Sequence, residues 1–191
     1  MNIIIDRASS RGHANHGWLN TYHTFSFANY FNPDRMQFGA LRVLNDDTVL
    51  PDEGFGTGIL HSEYNDSSTD NLEFLQIWVI PDRINTEPKY KDYDIKPLLK
   101  HNEISTFLAP ETAISIMQQA WFSWAELDRG TSREYKFKGQ NTGVYVFVVE
   151  GEVKIGDTVL NRRDGAGITD TEAITMEALQ NSTVLLMEVA Q

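Results

Sequence analysis

His61 and Glu63 stand two residues apart in the stretch Gly58-Ile59-Leu60-His61-Ser62-Glu63-Tyr64-Asn65. On a β-strand, residues i and i+2 point to the same face. An imidazole beside a carboxylate is half of a first-row metal site, and a set of His and carboxylate ligands suits non-haem iron. The other half should be a cluster of histidines on a neighbouring strand, and the chain offers no such cluster. His13 and His16 lie in Arg7 to Gly17, whose Ser, Gly and Asn content reads as loop, so both are expected to be exposed loop histidines. His23 belongs to the alternating run Tyr22-His23-Thr24-Phe25-Ser26-Phe27, read as a strand with His23, Phe25 and Phe27 on an inner face. There His23 is expected to be a hydrogen-bonded core residue. Gly54-Phe55-Gly56-Thr57-Gly58 resembles a phosphate loop only in its glycines; it lacks the Gly-Lys-Ser/Thr ending and no helix follows, so it reads as a tight bend.

The elements that must carry these residues are strands. Asn2 to Ile5 reads as a strand, as do Phe38 to Leu44, closed by a turn at Asn45-Asp46-Asp47, and the apolar run Leu72 to Ile80, ended by Pro81. Pro81 to Leu99 reads as an irregular connector. The second half contains nine short candidate strands: Ala113 to Gln118, Trp121 to Leu127, Arg133 to Phe137, Gly143 to Val149, Glu152 to Ile155, Thr158 to Leu160, Ala166 to Thr169, Ala173 to Ala178 and Thr183 to Val189. Gly151 and Gly156-Asp157 suit tight hairpins. Strands at this spacing without helix patterns predict a closed antiparallel barrel or jelly roll. A length of 191 residues fits one large all-β domain or two small ones.

Composition removes several chemistries. With no cysteine there is no disulfide, no thiolate zinc site and no Cys nucleophile, so any metal must be held by His, Asp or Glu. A net charge of −11 repels phosphate backbones, which argues against direct nucleic-acid binding. No stretch approaches the roughly 20 apolar residues of a membrane span. The apolar run at Ile3-Ile4-Ile5 is short for a signal peptide and lacks a basic start, so the cytoplasm is the expected location.

Longer blocks carry a family resemblance. They are Arg11-Gly12-His13-Ala14-Asn15-His16-Gly17-Trp18-Leu19, His23-Thr24-Phe25-Ser26-Phe27-Ala28-Asn29-Tyr30, Leu41-Arg42-Val43-Leu44-Asn45-Asp46-Asp47, Gly54-Phe55-Gly56, Thr57 to Asn65 and Gln76-Ile77-Trp78. Together they closely resemble the pirin family through almost the whole chain. The resemblance implies a bicupin, with two RmlC-like jelly-roll barrels in one chain. It also implies a mononuclear metal, usually iron (Fe2+), in the N-terminal barrel. Some bacterial pirins are quercetin 2,3-dioxygenases, and the animal member is a nuclear transcription cofactor. The family's four metal ligands are a His-x-His pair just after the Gly-Phe-Gly block and a His-x-Glu pair, which His61 and Glu63 match.

The chain departs from the family pattern between Thr57 and Gly58. The His-Pro-His segment and several strands should lie there, and Thr57 runs directly into Gly58. The expected organisation is therefore an N-terminal cupin domain over 1–108, shortened at that point, and a complete C-terminal cupin domain over 109–191. From Ala109 to Gln191 there is no histidine, so the second barrel is expected to lack a cupin metal site. Three functional readings follow from the resemblance. In one, the metal site is incomplete and activity is impaired or lost. In another, an iron or other divalent-metal dioxygenase acts on a flavonol-like substrate, with Glu63 also the base for the substrate hydroxyl and His16 or His23 completing the ligand set. In the third, the protein is a non-catalytic regulatory or protein-binding module. An opened first barrel would also leave unpaired strand edges, which predicts a homo-oligomer.

Overall fold

The protein is described by a computed structural model covering residues 1–55, 63–83 and 90–191. Its strands in the first half are β1 (Asn2–Asp6), β2 (Gly12–Asn15), β3 (Leu19–His23), β4 (Leu41–Val49), β5 (Gly54–Phe55), β6 (Glu63–Tyr64) and β7 (Leu72–Val79). The second half adds β8 (Ile104–Leu108), β9 (Ala120–Leu127), β10 (Ser132–Lys136), β11 (Thr142–Glu150) and β12 (Glu152–Ile155). It ends with β13 (Thr158–Asn161), β14 (Gly165–Thr169), β15 (Ala173–Ala178) and β16 (Ser182–Ala190). Among the described residues there is no α-helix, only short 3₁₀ turns at Ala8–Ser10 and Lys96–Leu98. The fold is all-β, as expected. No helix among these residues is long and apolar enough to cross a membrane.

Contacts divide the chain into two units. One comprises Met1–Ser10, Phe38–Ala40 and Ile80–Gln191. A six-stranded sheet, β1-β14-β11-β16-β9-β8, and a four-stranded sheet, β10-β15-β12-β13, share one core. Val144, Val146, Val184, Leu186 and Ile168 come from the first sheet, and Tyr135, Val153, Ile155, Leu160 and Met176 from the second. The inward alternation of these β-branched and bulky residues is what closes the sandwich. The hairpins turn at Gly151 and Gly156, whose φ values of +85° and +58° are the left-handed conformations that glycine adopts without penalty.

This grouping does not divide at residue 108. Strand β1 pairs along its whole length with β14, from Asn2 opposite Thr169 to Asp6 opposite Gly165. Strand β8, absent from the sequence reading, pairs with β9. Ala113 to Gln118, read as a strand, is instead bend and coil. Thr112 Oγ1 accepts from Ala109 N–H and donates to the Ile114 carbonyl, which curls the chain after Pro110.

The other unit comprises Arg11–Gln37 and Leu41–Val79. Its four-stranded antiparallel sheet runs β2-β3-β4-β7, and β5 pairs with β6. Three sequence expectations change here. Arg7 to Gly17 is not all loop: Gly12–Asn15 forms β2, joined to β3 by a hairpin in which Gly17 has φ +87° and donates its N–H to Asn15 Oδ1 at 2.8 Å. The strand through His23 begins at Leu19 and ends at His23. Asn45-Asp46-Asp47, read as a turn on composition, lies inside β4, because pairing with β3 on one side and β7 on the other holds those residues extended.

Candidate functional site

Strand pairing aligns the sheet of β2, β3, β4 and β7 into cross-strand rows. Gly12 is opposite His23, His23 opposite Asn45, and Asn45 opposite Gln76. The next row on the same face is Ala14, Thr21, Asp47 and Phe74. Opposed residues in an antiparallel pair share a face, so this face carries polar groups where a simple core would carry apolar ones. All of Thr21, His23, Asn45, Asp47 and Gln76 are buried.

These residues form the inner surface of a cavity of about 560 Å³, lined further by Leu19, Phe27, Tyr30 and Trp78, with the exposed His13 and His16 also along it. That volume lies in the usual range for small-molecule sites. Phe27 meets Trp78 edge-on at 5.4 Å between ring centroids. His23 lies 5.3 Å from Phe27 and 6.4 Å from Tyr30, nearly parallel to the latter. A tight turn brings Phe27 and Tyr30 together: each backbone N–H donates to the other's carbonyl, and Ala28 takes φ +49°. The turn is anchored behind by Arg42, which donates to the carbonyls of Ser26 at 2.8 Å and Met36 at 3.1 Å. A non-glycine residue at positive φ, held by such anchoring, is a feature that recurs at binding sites.

Burial is the main influence on His23 and lowers the proton affinity of its imidazole. The neighbouring Asn45 side chain opposes this, while the positive Arg11 and the His13 and His16 rings reinforce it. His23 is therefore neutral near pH 7, and Thr21 Oγ1 is 3.5 Å from its Nδ1. In the neighbouring cross-strand row of His13, Tyr22 and Asp46, Tyr22 stacks with His13 at 4.5 Å and has the Arg11 guanidinium 5.1 Å from its ring centroid. Arg11 also meets Asp46 there at 3.3 Å.

Of the sequence-derived ligands, His61 lies outside the described residues. Glu63 is placed by its backbone in β6, opposite Phe55. Among the described residues no group of three His, Asp or Glu side chains is positioned to hold a metal ion. The described part of the chain thus does not fit a complete metal site by itself. His101 is exposed and hydrogen-bonds Asp128 at 3.0 Å. Sequence reading missed Asn45, Asp47 and Gln76. The signal was present as a period of two: Val43, Asn45, Asp47 and Val49 alternate on one face of β4.

In the other unit the fully buried carboxylate is Glu188. It accepts from Tyr135 Oη at 2.9 Å, the backbone N–H groups of Lys138 and Gly139 at 2.8 and 2.6 Å, and Thr142 Oγ1 at 2.7 Å. Burial and the Glu188 charge push the Tyr135 phenol far up. These bonds fix the segment between β10 and β11.

Comparison with known proteins places this architecture. The family model of the quercetinase C-terminal cupin domain matches residues 108–189. Over 98% of its length the chain is 31% identical to the quercetin 2,3-dioxygenase of Escherichia coli K12, spanning 98% of that protein. It is 30% identical to a pirin-like protein of Caulobacter vibrioides, across 98% of this chain and all of that one. This chain is a member of the pirin family. Its fold matches the bacterial pirin YhhW from Escherichia coli, solved in complex with nickel(II), with a TM-score of 0.90 at 30% identity over 99% of each chain. Pirins are bicupins, and the two cupin-type units described above follow that plan. The alignment with the E. coli enzyme runs over 229 positions, 38 more than the 191 residues available, so at least that many positions have no residue of this pirin opposite them.

Proposed function

We propose that this pirin is a quercetinase-related bicupin that retains a small-molecule cavity but only the His61–Glu63 half of the family's metal-ligand set, so that dioxygenase activity is lost or strongly reduced. The observation that carries this reading is the junction Gly56-Thr57-Gly58-Ile59-Leu60-His61, which has no His-x-His, together with relatives that align over at least 38 further positions. Three to four strands with their turns account for a gap of that size. One imidazole and one carboxylate hold a divalent ion weakly, whether iron or the nickel found in the E. coli relative.

If an iron is held, it supplies a site for oxygen and for the oxygens of a flavonol-like substrate. This chain's own residues do the rest: Phe27, Tyr30 and Trp78 wall the ligand, and Glu63 takes the proton of the substrate hydroxyl. A rebuilt, active site is the second reading, and one observation favours it. His16 and His23, the candidates to complete the set, line the same cavity. A regulatory, protein-binding role without turnover remains the reading if neither metal nor substrate is used. In each case the strand edges exposed by the shortening favour self-association, in the cytoplasm.

The test is metal content by plasma mass spectrometry after anaerobic loading with ferrous iron and desalting, with nickel(II) in parallel and His61→Ala as control. Oxygen uptake with quercetin is measured on the same samples. The expected result is far less than one metal per chain and no turnover above the His61→Ala protein. Near-stoichiometric metal that disappears in His61→Ala, with oxygen consumption, would establish the rebuilt dioxygenase instead.

A further inference from the structure

We propose that Phe38 is a positioning residue for the cavity: its ring pegs one end of the loop that carries Phe27 and Tyr30 onto the six-stranded sheet. The sandwich unit, which supplies none of the described lining residues, thereby sets how firmly that aromatic wall is held. This rests on the small-molecule reading of the N-terminal sheet and adds a control that lies outside the cavity.

The first support is the path of the chain. Phe38–Ala40 groups with the sandwich unit, although the residues on either side of it, Arg11–Gln37 and Leu41–Val79, form the other unit. Two backbone bonds hold this three-residue excursion. Ala40 N–H donates to the Ala190 carbonyl at the end of β16, at 2.9 Å, and Ile80 N–H donates to the Ala40 carbonyl at 2.8 Å. Gln118 Nε2 donates in turn to the Ile80 carbonyl at 2.8 Å. Ordering such a detour costs conformational entropy, so contacts of its own must hold it.

The second support is the slot that Phe38 fills. Tyr145 and Gly167 stand opposite each other in the β11–β14 pair. Their neighbours Val144, Val146, Ala166 and Ile168 face the sandwich core, so Tyr145 and Gly167 face away from it. A β-carbon on Gly167 would stand 2.5 Å from Phe38 Cδ2 and Cε2, and one on Gly143 would stand 2.7 Å from Phe38 Cζ. The ring therefore lies on the bare backbone of two adjacent strands, with the Tyr145 ring 5.5 Å away between centroids. Glycine inside a strand marks this kind of close approach.

The third support is the loop that ends at the peg. Ser26 N–H donates to the Arg35 carbonyl at 2.7 Å, and Arg42 bridges the carbonyls of Ser26 and Met36, which closes the loop at its neck. Phe27, Ala28, Asn29 and Tyr30 lie inside that neck and line the cavity. Gln37 alone separates the neck from Phe38. With the ring seated, the tether is that one residue. With the ring out of its slot, the tether runs on to Leu41, where β4 begins, and the loop gains the conformational freedom of the residues between.

The test is hydrogen–deuterium exchange on the full chain, read by mass spectrometry in peptides from the loop (Ser26 to Met36) and from β11 and β14. Phe38→Ala removes the ring, Gly167→Ala fills its seat, and Phe38→Leu keeps an apolar plug. Loop amides are expected to exchange at least about tenfold faster in Phe38→Ala and in Gly167→Ala, on the scale of a lost buried phenyl contact. Peptides from β11 and β14 should stay within about threefold of wild type, and Phe38→Leu should recover part of the protection. The double variant should exchange no faster than Phe38→Ala, because Gly167→Ala acts only through the ring. Loop rates unchanged in Phe38→Ala, or β11 and β14 rates that rise as much as the loop's, would overturn the proposal. Quercetin, the probe of the cavity, is expected to bind about tenfold more weakly to Phe38→Ala, a difference of about 1.4 kcal/mol. An unchanged affinity would overturn the control of the cavity wall by the peg. Loop exchange is read without any ligand, so failure of wild-type protein to bind quercetin would sink the small-molecule reading and leave the tether to be decided by exchange alone.

Discussion

The ring of Tyr30 rests directly on Gly12, where an added β-carbon would lie 2.3, 2.6 and 2.7 Å from three atoms of that ring. Gly12 sits opposite His23 in the β2–β3 pair, so the contact decides where one aromatic wall of the cavity stands. Gly12→Ala is therefore expected to push Tyr30 away from His23. Overpacking of this kind costs about 1–3 kcal/mol. Thermal melting should show the loss, and quercetin affinity should fall with it. Unchanged melting and unchanged affinity would mean that the Phe27–Tyr30 turn yields freely.

Much of this arrangement was legible in the sequence, and the reasons differ by element. The strands of the C-terminal sandwich announce themselves because β11, β14 and β16 are rich in β-branched and other apolar residues, and glycines mark the turns between β11, β12 and β13. The cavity face was half legible. His23 stood out as a titratable residue in an alternating run and is buried as expected. Asn45 and Asp47 were hidden because their residue types favour turns, and only pairing with strands distant in sequence keeps them extended. The same applies to β2, whose Gly and Asn content reads as loop until β3 pairs with it. Sequence proximity also gives no sign that β1 joins β14, more than 150 residues away.

Glu188 offers a test of how far the sandwich depends on one buried carboxylate. Its oxygens accept from Tyr135, Thr142 and two backbone N–H groups, and no solvent reaches it. Glu188→Gln replaces an acceptor by an amide whose own N–H groups face donors. Hydrogen bonds to a charged group contribute about 1.5–3 kcal/mol each in net stability. A loss of about 3 kcal/mol is expected, lowering the melting temperature by roughly 6–12 °C for a domain of this size. A melting temperature within about 2 °C of wild type would show that the segment between β10 and β11 is held by other contacts.

Acidification should destabilise the protein in two separate steps. Burial, with Arg11, His13 and His16 nearby, sets the His23 proton affinity below its ordinary value in the folded state. Asp47 on β4 shares the cavity face, and the lining residues from β7, Gln76 and Trp78, carry no charge. The unfolded chain therefore takes up a proton at His23 first, so stability present above about pH 6.5 declines as pH falls toward the folded value. Asp164 behaves in the carboxylate range. Burial alone would raise its pKa, but the N–H groups of Ala8 and Asn161 and the Arg7 guanidinium hold it below the usual carboxylate range. Its contribution is intact above about pH 4 and is lost as pH falls through the folded value. Melting curves of wild type, His23→Phe and Asp164→Asn across pH 8 to 3 should separate the two. Deleting His23 should flatten the upper step and leave the lower one, and a wild-type curve with no upper step would remove His23 from the account.

The order β2-β3-β4-β7 puts β7 at one end of its sheet, and among the described residues it pairs with β4. It exposes Leu72 and Trp78. An extended apolar strand at a sheet edge presents backbone donors and acceptors that a second chain can pair with. If the shortening after Thr57 has removed strands that cover such edges in longer pirins, this chain should associate where they do not. Light scattering coupled to size exclusion, run over a hundredfold range of concentration, is expected to show a dimer or larger species that dissociates on dilution. The E. coli relative provides the comparison, because it aligns along 98% of this chain yet extends over at least 38 more positions. A clean monomer at every concentration would mean that the edge is covered within the chain itself. The shortened barrel would then have closed on its own residues.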